Sequence, residues 1–239
     1  LVNDGVDTVC MEVSSHALDQ ARVKGVDFDV AVFTNLSRDH LDYHGNMSNY
    51  AAAKFMLFHD HGIRTAIINV SDPYGAEFIE AGIPAKIWTF GLDGAADVYP
   101  EKSQALTKGI HLKLSTPKGS ITCEVPLLGR LNVINLVAVA ATLLALDHSP
   151  SSIEDAMPKL RPITGRMELL SKPDAPVHVV VDYAHTPVAL AQALNSLREH
   201  TANQIWCVFG CGGERDQGKR WEMGSVADQL ADRIVLTND

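Results

Sequence analysis

Apolar runs of strand length alternate with helical patterns through the first part of the chain, and this alternation constrains the fold most. Thr8–Val13, Val30–Phe33, Ala66–Val70 and Lys86–Phe90 read as strands, and Tyr50–His61 and Tyr74–Ala81 as helices between them. Strand–helix–strand order implies βαβ units and a mostly parallel sheet, because parallel neighbours need a long crossover. The first two strands run into polar segments. One reaches Glu12, Ser14, Ser15 and His16; the other reaches Asp39, His40, Asp42 and His44. Open α/β sheets bind ligands beyond the carboxyl ends of their strands. Glu12, Asp39, His40, Asp42, His44 and the helical Lys54 are therefore the first candidates for chemistry.

The pattern then changes. Residues 96–128 carry short alternating segments such as Ile110–Leu114, with a turn at Pro117-Lys118-Gly119-Ser120, and read as a small antiparallel flap. Leu131–Leu146 is nearly all apolar and reads as a buried helix. Ser151–Leu160 reads as a short helix capped by Ser151 or Ser152. Arg161-Pro162-Ile163-Thr164-Gly165-Arg166 is punctuated by Pro and Gly and marks a boundary between domains at 1–162 and 163–239. A second series follows: strand Val177–Val181, helix Pro187–His200, strand Gln204–Phe209, helix Lys219–Leu230 and strand Ile234–Leu236.

Charge and cysteine usage narrow the function classes. A formal net charge of -9 argues against general nucleic-acid or membrane-surface binding. No run approaches the ~18 apolar residues of a membrane span. Leu1-Val2-Asn3-Asp4 lacks the parts of a signal peptide. Cys10, Cys123, Cys207 and Cys211 form no zinc-type pair and read as reduced thiols of a cytoplasmic protein.

Several stretches carry candidate chemistry. Glu12 could ligate a hard cation such as magnesium, or cap a turn. Asp39, His40, Asp42 and His44 place four ligand-type side chains in six positions. Lys54 follows Ala51-Ala52-Ala53; close packing there would bury the lysine partly and ease its deprotonation. Gly213–Arg220 nearly matches the phosphate-binding loop, but Arg220 stands where a hydroxyl should hold magnesium. An anion site from backbone amides, Arg215, Lys219 and Arg220 remains open. Asp182 ends a strand and could hold a ribose hydroxyl, while Thr186 and Pro187 suit a helix start. Ser-His-Asp catalysis from Ser14 or Ser15 has no G-x-S-x-G elbow behind it.

Taken in order, these stretches resemble the Mur ligase family, most closely its MurE type, across essentially the whole chain. The matching segments are Met11–His16, Thr34–Gly45, Tyr50–Lys54, Leu128–Asn135, Gly165–Glu168, Asp182–Pro187 and Phe209–Arg220. The resemblance implies an α/β fold: the parallel sheet and flap of an ATP-binding central domain, then part of a Rossmann-like C-terminal domain. It implies an ATP-dependent ligase joining meso-diaminopimelate or L-lysine to UDP-N-acetylmuramoyl-L-alanyl-D-glutamate through an acyl phosphate, in peptidoglycan synthesis. By the same resemblance Glu12, His40 and Lys54 are magnesium ligands, Lys54 as a carbamate. Lys54 and His40 take the catalytic roles. Ser14, Gln20 and Arg22 contact the UDP-muramoyl-dipeptide, and Arg215 the incoming amino acid. Asn135, Arg166 and Asp182 serve the nucleotide. Family members also carry an N-terminal UDP-binding domain and a glycine-rich phosphate loop, neither of which lies within 1–239. The chain is therefore expected to be an internal fragment, inactive alone, of a monomeric cytoplasmic enzyme. A folylpolyglutamate synthetase-like ligase and a non-catalytic nucleotide-binding module are the alternatives.

Overall fold

The computed structural model describes residues 5–172, 175–212 and 218–238. The chain forms two compact units: Leu1–Gly91 with Ala95–Asp97, and Leu92–Gly94 with Val98–Asp239.

The first unit is built on a parallel sheet in the order β1 (Val30–Phe33), β2 (Thr65–Asn69), β3 (Lys86–Phe90). The central strand is the most buried, with Ala66, Ile67 and Ile68 fully inaccessible. Strands covered on both faces read as continuous apolar runs for this reason. Helices α1 (Ser15–Asp19), α2 (Leu41–His44), α3 (Met47–His59) and α4 (Pro73–Glu80) accompany the sheet. Phe33 of β1 meets Phe78 of α4 at 4.7 Å and Phe58 of α3 at 6.4 Å, in tilted and edge-on arrangements. Helix α3 buries Tyr50, Ala51, Ala53 and Phe58.

Side chains at the sheet's carboxyl edge fix the loop that follows β1. The buried Asn69 donates to the Thr34 carbonyl (2.6 Å) and accepts from the Ser71 amide (2.9 Å). Asp72 caps α4 through Tyr74 N (2.9 Å) and also accepts from Leu36 N (3.0 Å). Gly75 permits the close approach of α4 to β2, since a Cβ there would run into the Asn69 carbonyl.

The expected strand at Thr8–Val13 is not a strand. Among the described residues nothing pairs with it, and Val9 and Met11 lie exposed. A strand exists only when a neighbour takes up its amides and carbonyls. The apolar run specified an extended segment, not a ladder.

In the second unit, β4 (Tyr99–Leu106), β5 (Gly109–Ser115) and β6 (Ile121–Val125) form the antiparallel flap, with a bulge between Pro100 and Lys102. Ile110, Leu112 and Leu114 alternate inward along β5. Helix α5 (Arg130–Ala145) fully buries Val137, Ala140, Ala141 and Leu144. Helix α6 (Pro150–Ala156) is capped by Ser149, not by Ser151 or Ser152, and continues as a 3-10 turn at Met157–Lys159. Pro150 takes the first helical position and so puts the cap two residues upstream of Ser151 and three upstream of Ser152.

A two-residue antiparallel pair, β7 (Glu168–Leu169) with β8 (Val180–Val181), is what remains of the expected strand at 177–181. Helix α7 (Pro187–His200) starts on the Thr186 cap. Strand β9 (Trp206–Phe209) pairs in parallel with β10 (Arg233–Leu236), and α8 (Gly218–Leu230) connects them. Leu190, Leu194, Ile205, Cys207, Met223 and Ala227 form the core here.

One residue of α7 reaches two distant segments. His200 is buried; its Nε2 accepts from Gly129 N (2.9 Å) and its Nδ1 lies 2.6 Å from the Leu106 carbonyl. A backbone amide can only donate and a carbonyl only accept, so the proton sits on Nδ1.

Candidate functional site

The densest polar cluster follows β1 in the first unit. Ser14 caps α1, accepting from Ala17 N at 3.1 Å. The one-turn helix brings Ser15, His16 and Asp19 toward α2 and α3. His16 is surrounded by rings: Tyr43 at 4.2 Å, His40 at 5.0 Å and His44 at 5.4 Å between centroids. Tyr43 Oη donates to Asp19 Oδ2 (2.6 Å) and accepts from Gln20 Nε2 (3.0 Å).

His44 is the buried member of the group. Its Nε2 lies 2.9 Å from Ser15 Oγ, and its ring stacks on Tyr50 at 5.1 Å. Burial first, and the charges of His16, His40 and Lys54 after it, hold the imidazole below its usual range; Asp19 opposes them. The neutral ring is the form that a short bond to a buried hydroxyl suits.

His40 stands at the start of α2 in the left-handed region (φ 54°, ψ 23°). Non-glycine residues rarely adopt it, and such backbone concentrates at functional positions. The Asp39 carboxylate accepts from the His40 amide at 2.8 Å. The His40 ring meets the edge of Tyr50 at 5.9 Å, and Lys54 Nζ sits 5.3 Å from the same ring centre. Tyr50 is therefore the shared surface of His40 and Lys54. Lys54 is half-buried, one turn beyond Tyr50 on α3. Desolvation lowers its pKa, and the Glu12 carboxylate partly restores it. Burial first, and the Asp39 carboxylate after it, raise the pKa of the Tyr50 phenol.

An open concavity of about 470 Å³ adjoins the cluster, lined by Asp19, Tyr43, His44, Asn49, Ala53 and Met56. Gln20 and Arg22 are exposed at the end of α1. Glu12 lies on the extended segment before it, exposed. Among the described residues no group of three His, Cys, Asp or Glu side chains is arranged to hold a metal ion.

In the second unit, Asp182 and Arg166 come close to one another through shared neighbours. Asp182 accepts from Met167 N (2.9 Å) and Ala184 N (2.9 Å), and the Arg166 guanidinium lies over the Tyr183 ring at 4.9 Å. Asn135 is exposed on α5, with its amide 3.5 Å from Asn132 Oδ1. Arg215 lies outside the described residues, as does most of the near-match to a phosphate loop.

Sequence reasoning names Ser15 and His16 beside Glu12 without placing them in this cluster, and passes over Asp19, Tyr43 and Tyr50. The signal was there for three of them: polar residues three or four apart share a helix face. Asp19 and Ser15 are four apart, and Tyr50 and Lys54 are four apart. What periodicity does not carry is the approach of α1 to α2.

Comparison with known proteins divides the chain between residues 143 and 165, not where its two compact units meet. The Mur ligase middle domain family matches residues 1–143, and the Mur ligase glutamate ligase domain family matches residues 165–239. A UDP-N-acetylmuramoyl-L-alanyl-D-glutamate--2,6-diaminopimelate ligase of Xanthomonas campestris pv. campestris is 49% identical over 239 residues, covering 98% of this chain and 48% of that protein. The ligase of the same name from Pseudomonas aeruginosa is 47% identical, with 98% and 48% covered. A solved structure of a ligase of that name superposes with a TM-score of 0.83 at 40% identity, covering 99% of this chain and 49% of its own. The apo form of L. casei FPGS shares the fold alone, at 19% identity and a TM-score of 0.68, covering 87% of this chain and 49% of its own. The chain spans about half the length of the curated relatives it matches.

Proposed function

Because the chain belongs to the Mur ligase family, we propose that the protein carrying it is an ATP-dependent ligase that adds meso-diaminopimelate to UDP-N-acetylmuramoyl-L-alanyl-D-glutamate. The observation that carries this reading is the 49% identity to a ligase of that name along 98% of the chain. Residues 1–162 then belong to the central domain and 163–239 to the C-terminal one.

The chemistry is activation of a carboxylate, which is a poor electrophile. A carboxylate oxygen attacks the γ-phosphorus of ATP, ADP leaves, and an acyl phosphate results. The amine of the diamino acid adds to the acyl carbon, loses a proton, and phosphate departs. Ser14 at the start of α1 and Gln20 and Arg22 beyond its end hold the dipeptide-bearing substrate. Asn135, Arg166 and Asp182 face the nucleotide, and Arg215 binds the carboxylate of the incoming amino acid.

Glu12, His40 and Lys54 are the residues that would hold magnesium, Lys54 as its carbamate. The arrangement fits. Lys54 shares the Tyr50 ring with His40 and feels the charge of Glu12. Its lowered pKa favours the neutral amine, whose lone pair adds to carbon dioxide with loss of a proton. Carboxylate and carbamate oxygens with one imidazole suit a hard cation. When bound, the ion neutralises charge on phosphoryl oxygens. Tyr50 orients two of the three ligands, and the His44 ring backs Tyr50 from behind.

No helix among the described residues is long and apolar enough to cross a membrane, and a reaction that consumes ATP suits the cytoplasm. The test is phosphate release by the purified full-length protein with ATP, magnesium and the UDP-muramoyl-dipeptide. Release should require the dipeptide substrate and meso-diaminopimelate, with L-lysine a poor replacement. Release without the diamino acid, or none with it, would refute the reading.

A further inference from the structure

The contacts of Tyr43 carry a consequence for Gln20 that follows from counting protons. Tyr43 Oη is 2.6 Å from Asp19 Oδ2. An ionised carboxylate has acceptors only, so the proton in that contact is the phenol's. The phenol oxygen is left with lone pairs alone. Whatever faces it from Gln20 must donate, and the atom found there is Nε2, at 3.0 Å. The reversed carboxamide would set Oε1 against the phenol oxygen, two acceptors without a proton between them. Ring contacts hold the phenol itself in place, with His16 at 4.2 Å and His44 at 4.8 Å.

We propose that Tyr43, polarised by Asp19, is a positioning residue that fixes the carboxamide of Gln20 with its carbonyl oxygen turned outward, as an acceptor for an amide N–H of the peptide-bearing substrate. The inference rests on the reading of Gln20 as a substrate contact. An exposed glutamine without such a partner presents its oxygen and its nitrogen about equally, because the terminal torsion is broad and two-fold. The Asp19–Tyr43 pair removes half of those states before the ligand arrives. It selects a donor on the substrate over an acceptor, and a pre-oriented group loses less freedom on binding. Asp19 touches neither Gln20's ligand nor the reacting atoms in this arrangement; it acts through the phenol.

Steady-state kinetics of the full-length protein separate the possibilities. Tyr43→Phe keeps the ring beside His16 and removes only the hydroxyl. It should raise KM for the UDP-muramoyl-dipeptide about fivefold, the scale of one ordinary hydrogen bond. KM for ATP should stay within error, and kcat within about twofold. Gln20→Ala should raise the same KM at least as much, and Tyr43→Phe added to Gln20→Ala should change nothing further. A residue that merely supports the fold would instead move kcat and the KM for ATP, and its effect would add to that of Gln20→Ala. If Gln20→Ala raises KM and Tyr43→Phe does not, or if the two effects add in full, the inference is wrong while the ligase reading stands. If Gln20→Ala leaves KM unchanged, the assignment of Gln20 falls and takes the inference with it. A wild-type protein without ligation activity would overturn the ligase reading itself.

Discussion

Ser15→Ala should destabilise the first unit out of proportion to the single atom it removes. Ser15 and His44 are 2% and 7% exposed, and the hydroxyl is 2.9 Å from Nε2. No buried side-chain nitrogen or oxygen among the described residues lacks a partner. Removing the hydroxyl leaves the imidazole nitrogen buried and unpaired, which costs about 1–3 kcal/mol. His44→Phe does the reverse: it orphans the hydroxyl but keeps an aromatic ring on Tyr50, where the stack is 5.1 Å. The double variant has no polar group left to satisfy, so it should recover most of the loss. Tryptophan fluorescence during urea unfolding reads this unit selectively. Trp88 on β3 is 6% exposed, whereas Trp206 and Trp221 are 62% and 77% exposed and already wet when folded. Ser15→Ala within about 0.3 kcal/mol of wild type, or a double variant equal to the sum of its parts, would refute the reasoning.

Three further outcomes are expected. Burial lowers the His44 pKa below 6.5, so the unfolded chain takes its proton first; stability should fall as pH drops from 6.5 toward the folded pKa. His44→Phe should flatten that slope in urea titrations between pH 7 and pH 5, and an unchanged slope would assign it elsewhere. Lys54→Ala in the full-length protein should abolish ligation, with part of the activity restored by added acetate; full activity without rescue excludes a carbamate role. Gly75→Ala should cost about 1–3 kcal/mol, because its Cβ meets the Asn69 carbonyl and α4 must shift; an unmoved Trp88 unfolding midpoint would show that the helix yields freely.

Most of the fold was legible because its elements are locally consistent. Val30–Phe33, Lys86–Phe90 and Pro187–His200 have the bounds their apolar spacing and punctuation predict. Pattern failed where an element depends on a partner. Thr8–Val13 has the composition of a strand but pairs with nothing among the described residues, and 177–181 keeps only the two residues that β7 reaches. The cap of α6 falls on Ser149 rather than on the expected serines because Pro150 suits the first helical position, where its missing amide costs nothing. In the candidate site, density of ligand-type residues singled out Asp39, His40 and His44 from sequence. It did not distinguish them. His44 is buried against Ser15, whereas His40 and Asp39 are exposed, and only the packing of α1 on α3 separates those fates.

The His200 bridge bears on how this part of the chain folds and opens. One imidazole closes loops of 71 residues to Gly129 and 94 residues to Leu106. Closure entropy grows only with the logarithm of length, so the longer loop costs about 0.25 kcal/mol more than the shorter. Once the bond to Gly129 forms, only the 23 residues between Leu106 and Gly129 remain to be closed instead of 94, so the second bond costs about 1.2 kcal/mol less chain freedom than it would alone. The start of α5, the tip of the flap and the end of α7 are thereby tied into one cooperative unit rather than three that fray separately. The amide of Gly129 belongs to no helix or strand ladder, yet it should exchange with solvent as slowly as the helices it joins.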